Sequence, residues 1–233
     1  MNNGGIATRL VNCAKVISGR MPGALAQSNV VANMLFGAIS GSGAAAAAAM
    51  GGTIGPLEEK EGYDKNYSTA VNVASAPVGM LIPPSNTMIV YSSVAGSVSI
   101  AALFMAGYIP GLLWGGAVMI LAGIMAKKRG YQAEQRVPVK VALKTFWQAI
   151  PSLLLIVIVI GGILGGIFTA TEGSAIAVVY ATVLSLIYKA FKIKDIPRIV
   201  LEAAKTTGII TFMIGLSSIC LLYTSPSPRD GLL

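Results

Sequence analysis

The sequence contains no histidine, and this absence removes a large group of functions. Most nucleophilic enzymes need a base such as histidine to activate the nucleophile, and transition-metal sites depend on histidine and cysteine ligands. Cysteine is also rare, because Cys13 and Cys220 are the only two in 233 residues. We therefore expect neither an enzyme, nor a transition-metal site, nor a framework of disulfides.

Charged side chains are also scarce, at 11% of the sequence, whereas 55% of the residues are hydrophobic. The mean hydropathy of +0.74 is far above that of a domain with a polar surface. The net charge of +8 could suggest nucleic acid, but the lysines and arginines gather between apolar runs rather than along one helix face. The sequence predicts an all-α integral membrane protein whose partner is the lipid bilayer and not nucleic acid.

The first thirty residues carry Arg9, Lys15 and Arg20 on a weakly amphipathic pattern with helical spacing. No apolar core of suitable length follows these charges, and no small-residue cleavage site is evident, so the segment is not a signal peptide. We expect residues 1–30 to form an interfacial or scaffold helix.

The next apolar stretch, residues 31–57, is interrupted near its centre by Ser40-Gly41-Ser42-Gly43. One interpretation is a single span, because the stretch is long enough to cross the hydrocarbon core and small residues are common where membrane helices pack. The other is a re-entrant hairpin of two short helices, since glycine and serine readily form a tight turn. We favour the hairpin.

A second apolar run, residues 67–97, contains the stretch "LIPPSNTMIV". Pro83 and Pro84 lack an N–H and crowd the preceding turn, which frees carbonyl groups from the helical ladder. Pro84 also favours extended geometry at Pro83, so we expect the helix to unwind rather than bend. Residues 31–98 therefore contain two interrupted segments.

The remaining apolar segments are plainer, and residues 99–205 form the predicted scaffold and connecting spans. Residues 206–219 begin a further apolar segment that stops abruptly. The last residues, "CLLYTSPSPRDGLL", resemble translated adaptor sequence, and we interpret 220–233 as a non-native tail. The spans predicted within the scaffold are 100–126, 147–168 and 173–188.

Charge placement gives an orientation for these spans. Basic blocks at 127–144 and 189–198 belong in the cytoplasm by the positive-inside rule, which requires two crossings between them. Counting backward places the charged cluster at 58–65 and the ends of the hairpin in the cytoplasm as well. We expect this cluster to lie outside the hydrocarbon because charges there are costly.

The two interrupted segments together indicate a binding site. Non-helical backbone occurs at membrane depth only where it is buried in protein or lines a water-filled cavity. Secondary transporters build their binding sites from such broken helices. Helix N-termini attract anions, while carbonyl and hydroxyl oxygens coordinate Na⁺. A kink at the prolines and simple close packing at the glycines remain the alternatives.

The residues from 37 to 113 closely resemble the large membrane subunit of tripartite ATP-independent periplasmic (TRAP) transporters. The motifs are "GAISGSGAAAAAAMGGTIGP" and "VGMLIPPSNTMIVY", followed by "GGIFTATEGSAIAVVYA" and "LEAAKTTG". The likeness covers about residues 1–219 in the family's order. It implies a multi-span helical transporter with a partial inverted repeat, of which this chain is a central fragment. Residues 31–98 would belong to its transport part.

The resemblance implies a sodium-driven elevator in the bacterial inner membrane that imports an organic acid, such as a C4-dicarboxylate or sialic acid. A periplasmic binding protein would deliver the solute and a small membrane subunit would assist, with Na⁺ as coupling ion and no other cofactor. Asn86 and Thr87 stand where many relatives have an apolar and a small residue. The residues matched to sodium binding are Ser40, Gly41, Ser42, Gly43, Gly79, Pro83 and Pro84, and those matched to solute binding are Ser42, Ser85, Asn86 and Thr87.

Two alternatives remain open for the function. One is a sodium/dicarboxylate carrier of the same superfamily that works without a binding protein, and the other is a structural membrane subunit that transports nothing. Thr169, Thr171 and Glu172 match a further family element. Two roles are possible for Glu172. It could bind a proton or an ion, or it could stabilise the N-terminus of a new helix that a threonine caps. We favour the cap.

Overall fold

The computed structural model describes residues 6–19, 21–95, 98–131, 139–188 and 193–224. Within these ranges every regular element is helical, which confirms the all-α prediction. The chain divides into two compact units, residues 1–190 and 191–233. The helices are α1 (Ile6–Ser18), α2 (Ala24–Ser40), α3 (Gly43–Thr53), α4 (Gly55–Lys60), α5 (Lys65–Ser75), α6 (Val78–Leu81), α7 (Asn86–Ala95), α8 (Ile100–Lys128), α9 (Val139–Leu164), α10 (Ala170–Ile187) and α11 (Ile196–Thr224), with a 3-10 turn at Ile193–Asp195 before α11.

Three of the described helices are long and apolar enough to cross a membrane: α8, α10 and the part of α11 from Ile196 to Ser217. A fourth crossing is available if α5 and α6 are counted with α7 as one broken span, bent by 47°. Large apolar side chains such as Ile109, Leu113 and Val157 are exposed on α8 and α9. Such surfaces suit contact with lipid or with other membrane helices.

The spans after α8 differ from their predicted boundaries for local reasons. The helix that contains the apolar run predicted at residues 147–168 begins earlier, at Val139, and ends at Leu164. Gly166 has a φ of 66°, and Ile167 donates back to the Gly162 carbonyl at 2.9 Å, so a glycine turn ends the helix. α10 begins at Ala170 rather than residue 173 because Thr169 caps it.

In the second unit, α11 is a single helix. The predicted boundary between the scaffold and the next apolar segment, at residues 205 and 206, lies inside it. The helix continues to Thr224, into the segment predicted as a tail, and residues 225–233 lie outside the described residues.

In the first unit, α2 is the central helix. One face packs on α1 and α3, where Leu10, Ala32, Phe36 and Met50 belong to one buried cluster. The opposite face packs on α5 and α8 through a second cluster, which includes Leu25, Val30, Tyr67, Val71 and Ala126. α1 is therefore partly buried against its neighbours, with Leu10 and Ala14 wholly inaccessible.

Polar contacts tie α8 to α5. The Tyr67 hydroxyl donates to the Ala122 carbonyl at 2.8 Å, and the Trp114 indole N–H donates to the Ala74 carbonyl at 3.0 Å. Arg129, just beyond α8, pairs with Asp64 at 3.2 Å. The backbone N–H of Tyr67 lowers the pKa of Asp64 most, and Arg129 lowers it further.

Candidate functional site

The first interruption is a two-residue turn between α2 and α3. Gly41 has a φ of 61°, a left-handed conformation that favours glycine, and its N–H donates to the Gly37 carbonyl at 2.7 Å. Ser42 is extended, and its hydroxyl accepts from the Ala45 N–H at 3.3 Å as the N-cap of α3. The SGSG sequence thus ends one helix and starts the next.

The second interruption lies between α6 and α7, at residues 82–85. Ile82 is extended, and the peptide between Pro83 and Pro84 is cis. The Ser85 hydroxyl donates to the Met80 carbonyl at the end of α6 and accepts from the Met88 N–H of α7 at 3.4 Å. The helix is unwound here, as the prolines predict, and one serine satisfies a backbone group on each side of the break.

The turn and the break contact each other directly. The Asn86 side-chain amide donates to the Ser40 carbonyl at 3.3 Å. A Cβ placed on Gly41 would come within 2.6 Å of the Asn86 backbone nitrogen, so only glycine fits. The C-terminus of α2 therefore meets the N-terminus of α7.

The backbones of neighbouring helices also pack closely beside this contact. A Cβ on Gly79 would overlap the Gly37 Cα, so α6 and α2 touch through their main chains. A Cβ on Gly43 would lie 3.2 Å from the Ala76 carbonyl oxygen. These contacts hold together the ends of α2 and α6 and the starts of α3 and α7. We call this region the tip–break junction, where the tip is the turn at residues 40–43 and the break is residues 82–85.

The predicted site residues fall into two groups at this junction. Gly41, Gly43, Gly79, Pro83 and Ser85 are buried. Ser40, Ser42 and Pro84 are half-buried, whereas Asn86 and Thr87 are exposed. The structure brings the two interrupted segments together, and it leaves Asn86 and Thr87 as the accessible polar side chains of the break.

The chemistry at the junction is that of oxygen ligands and helix ends. Hydroxyl and carbonyl oxygens of Ser40 and Ser42 lie beside the first turns of α3 and α7, whose amides carry partial positive charge. Such oxygens suit a hard monovalent cation, and the helix N-termini suit an anion. Among the described residues, no group of three or more acidic, cysteine or histidine side chains could hold a metal ion.

Sequence reasoning missed a line of buried amides between α2, α5 and α3. The Asn33 amide donates to Asn29 Oδ1 at 2.9 Å, to Asn72 Oδ1 at 3.0 Å and to Ser75 Oγ at 2.8 Å. Asn72 in turn donates to the Ala47 carbonyl at 2.9 Å. Asn29 and Asn33 lie one helical turn apart in α2, and this spacing was the available signal.

The element at Thr169 and Glu172 is a capping box. Glu172 N–H donates to the Thr169 hydroxyl at 3.3 Å, and Thr169 N–H donates to Glu172 Oε2 at 2.8 Å. The cap favoured from the sequence is present, with Thr169 as the capping threonine.

A family model described as "Tripartite ATP-independent periplasmic transporter, DctM component" matches residues 1–225. The chain belongs to this family. It is therefore a multi-pass protein of the bacterial inner membrane, and the family is one of transporters rather than enzymes. The match includes the first residues of the segment that the sequence assigned to a tail.

Named relatives agree with membership of the TRAP family. The uncharacterized protein YgiK of Salmonella typhimurium is 52% identical over 217 residues, covering 93% of this chain and 50% of YgiK. The C4-dicarboxylate TRAP transporter large permease protein DctM of Rhodobacter capsulatus is 35% identical, with 92% of this chain and 52% of DctM covered. The sialic acid TRAP transporter large permease protein SiaM of Vibrio cholerae is 37% identical, with 92% and 50% covered.

The chain spans about half the length of these three relatives. The names of DctM and SiaM specify different solutes, a C4-dicarboxylate and sialic acid. Family membership therefore does not select the solute.

Proposed function

We propose that this chain is part of a large TRAP permease that imports an organic acid in a sodium-driven elevator mechanism, with the solute and Na⁺ bound at the tip–break junction. One observation supports the location above all others. The Ser40 carbonyl accepts from Asn86, and Gly41 packs on the Asn86 backbone, so two interrupted segments meet at one point. Interrupted helices that meet in this way are how secondary transporters assemble sites.

Sodium has suitable oxygen ligands in the proposal. The tip supplies hydroxyl and carbonyl oxygens from Ser40 to Gly43, and the break at Pro83 and Pro84 frees carbonyls near the end of α6, beyond Gly79. Carbonyl and hydroxyl oxygens without a full negative charge bind a monovalent ion reversibly, which a transport cycle requires.

The solute would contact the accessible side chains of the break. Asn86 and Thr87 are exposed at the start of α7, where the helix dipole favours a carboxylate. Ser42 is half-buried at the start of α3 and could contact the same anion. Ser85 differs, since its hydroxyl already bonds Met80, so in this proposal it shapes the break and contacts solute only if that bond opens.

The partners in the proposal follow from the word "tripartite" in the family description. A periplasmic binding protein would deliver the acid, and a small membrane subunit would complete the permease. Uptake that proceeds equally well without a binding protein would favour the carrier alternative.

The test uses a permease of full family length that carries residues 31–98 of this sequence, reconstituted with its two partners. Asn86→Leu removes one polar group at nearly constant volume. Losing a hydrogen bond to a charged group costs about 1.5–3 kcal/mol, or roughly ten- to a hundredfold in affinity. We expect the solute affinity to fall by that factor while the Na⁺ dependence stays unchanged.

Ser93→Ala is the matched control, because Ser93 is also exposed on α7 and its hydroxyl bonds only the Ile89 carbonyl among the described contacts. It should leave both constants unchanged. If Asn86→Leu, normalised to folded protein, also leaves both unchanged, the break does not form the solute site.

A further inference from the structure

Glu58 in α4 is a buried carboxyl group in the middle of a charged segment. Its side chain is 1% exposed, whereas Glu59, Lys60 and Glu61 beside it are exposed. The sequence placed the whole cluster outside the hydrocarbon but did not indicate that any of its side chains is buried. The structure shows that Glu58 is buried inside the protein.

The surroundings of Glu58 are polar but do not complete its hydrogen bonding. Asn29 of α2 and Ser68 of α5 face the carboxyl group, and both are at least nine-tenths buried. Neither reaches hydrogen-bond geometry, so both Glu58 oxygens, the Asn29 amide nitrogen and the Ser68 hydroxyl lack a partner. Native proteins rarely leave so many buried polar atoms unpartnered in one place.

No cation among the described residues neutralises this carboxylate through an ion pair. Glu61 on its own segment acts on Glu58 electrostatically, and Glu58 in turn acts electrostatically on Tyr67 of α5. Arg129, the nearby cation at the end of α8, is paired with Asp64 and lies over the Tyr67 ring at 5.3 Å. An ionised Glu58 would therefore be a buried and uncompensated charge, which is strongly unfavourable.

We propose that Glu58 is a proton-binding site inside the transport part, distinct from the sodium and solute site. A proton from solvent adds to one carboxylate oxygen and removes the buried charge. Small side-chain rotations would then let the neutral acid donate to the Ser68 hydroxyl oxygen and accept from the Asn29 amide, which lie beside it without hydrogen-bond geometry in the structure. Burial raises the pKa of Glu58, Ser68 and Asn29 oppose this, and Glu61 adds to it.

A line of hydrogen bonds runs from beside Glu58 toward the tip–break junction. Asn29 accepts from Asn33, which also donates to Asn72 and Ser75, and Asn72 bonds the Ala47 carbonyl in α3. Asn29, whose amide nitrogen faces Glu58, is therefore one end of a hydrogen-bonded line that reaches both α5 and α3. This gives the proton a physical route to influence the packing that holds the junction.

Infrared spectroscopy of the chain in lipid vesicles tests the proposal directly. The chain has nine acidic residues, so the carbonyl stretch of a protonated carboxyl can be assigned by substitution. We expect this band to persist in the wild type to a higher pH than the bands of the exposed carboxyl groups, to be missing in Glu58→Gln, and to be retained in Glu59→Gln, the matched control on the same helix. Loss of every carboxyl band of the wild type at the same pH would overturn the proposal.

Thermal unfolding against pH gives a second, independent readout. A carboxyl whose pKa is raised by folding stabilises the fold fully below its unfolded pKa, and this contribution is lost as pH rises through the folded pKa. The wild type and Glu59→Gln should therefore lose stability over that window, and Glu58→Gln should not. Equal pH dependence in all three would contradict the proposal.

Sodium concentration separates a proton site from a cation site. If Glu58 binds only a proton, the pH at which the infrared band disappears should be the same at low and high Na⁺. If that pH falls as the Na⁺ concentration increases, Na⁺ competes with the proton for the carboxylate. Glu58 would then be a sodium-binding site, and the proposal of a site for the proton alone would be overturned.

Discussion

At Gly79 there is no room for even one methyl group, because its Cα faces the Gly37 Cα across the α2–α6 contact. Gly79→Ala should force the two helices apart. Such overpacking costs about 1–3 kcal/mol. We expect the free energy of unfolding of the chain in detergent to fall by this amount, as measured by circular dichroism.

Gly52 provides the comparison for this prediction. It lies in α3, is exposed, and has nothing within 4 Å of an added Cβ. Gly52→Ala should stabilise the helix by up to about 1 kcal/mol, because alanine has the higher helix propensity. If both substitutions change stability alike, the close approach of Gly37 and Gly79 is not a constraint on the fold.

Individual residues also show where sequence reasoning stops. Glycine and serine at 40–43 predict a turn, but the pattern does not show that Ser42 caps α3 or that the Ser85 hydroxyl bonds the Met80 carbonyl. A serine near a helix end can bond its own backbone or a ligand, and the choice depends on tertiary geometry. Glu58 was missed for a related reason, since its charged neighbours suggest a solvated segment.

At the scale of elements, the cap of α10 fixes where the last helix of the first unit begins. The Thr169 hydroxyl accepts from the Glu172 N–H, and Glu172 Oε2 accepts from the Thr169 N–H and hydroxyl. Thr169→Ala should lower the free energy of unfolding by about 1 kcal/mol, the usual cost of losing an N-cap.

Thr169→Ser keeps the hydroxyl and should remain close to the wild type. Glu172→Gln keeps an oxygen that can accept from the Thr169 backbone, so it should leave uptake by a full-length permease unchanged if Glu172 only caps the helix. Loss of uptake with normal folding would restore the ion role that was considered for Glu172.

Helix existence was more predictable than helix ends. The start of α8 at Ile100 and the break near Pro83 agree with expectation, because a long apolar run and adjacent prolines act locally. The ends of α9 differ from those of the predicted span because hydropathy does not record the glycine turn at Gly166 or the helical residues before the apolar core. The two irregular segments predicted a shared site but not which of their residues touch. The structure shows that Asn86 donates to the Ser40 carbonyl.

For the whole molecule, the arrangement across the membrane can be measured. In a variant lacking Cys13 and Cys220, single cysteines introduced at Glu59 or Lys127 should resist impermeant reagents applied outside intact cells. A cysteine at Thr169 should react, because one crossing separates this position from each basic block and therefore places it outside the cell. Labelling at Lys127 from outside would overturn this orientation.

The same introduced cysteines carry their own control. After the cells are opened, Glu59 and Lys127 are both exposed to solvent and should become reactive. Reactivity that does not change on opening would show that burial, and not the membrane, had protected them.

The hydrogen bond from Trp114 to the Ala74 carbonyl gives the fold an optical reporter. The sequence has two tryptophans, and replacing Trp147, which is 66% exposed, with phenylalanine would leave Trp114 alone. Its indole joins α8 to the end of α5, just before the helix breaks. The emission colour and lifetime of this single fluorophore would therefore follow, in real time, any separation of the broken helix from the long span beside it.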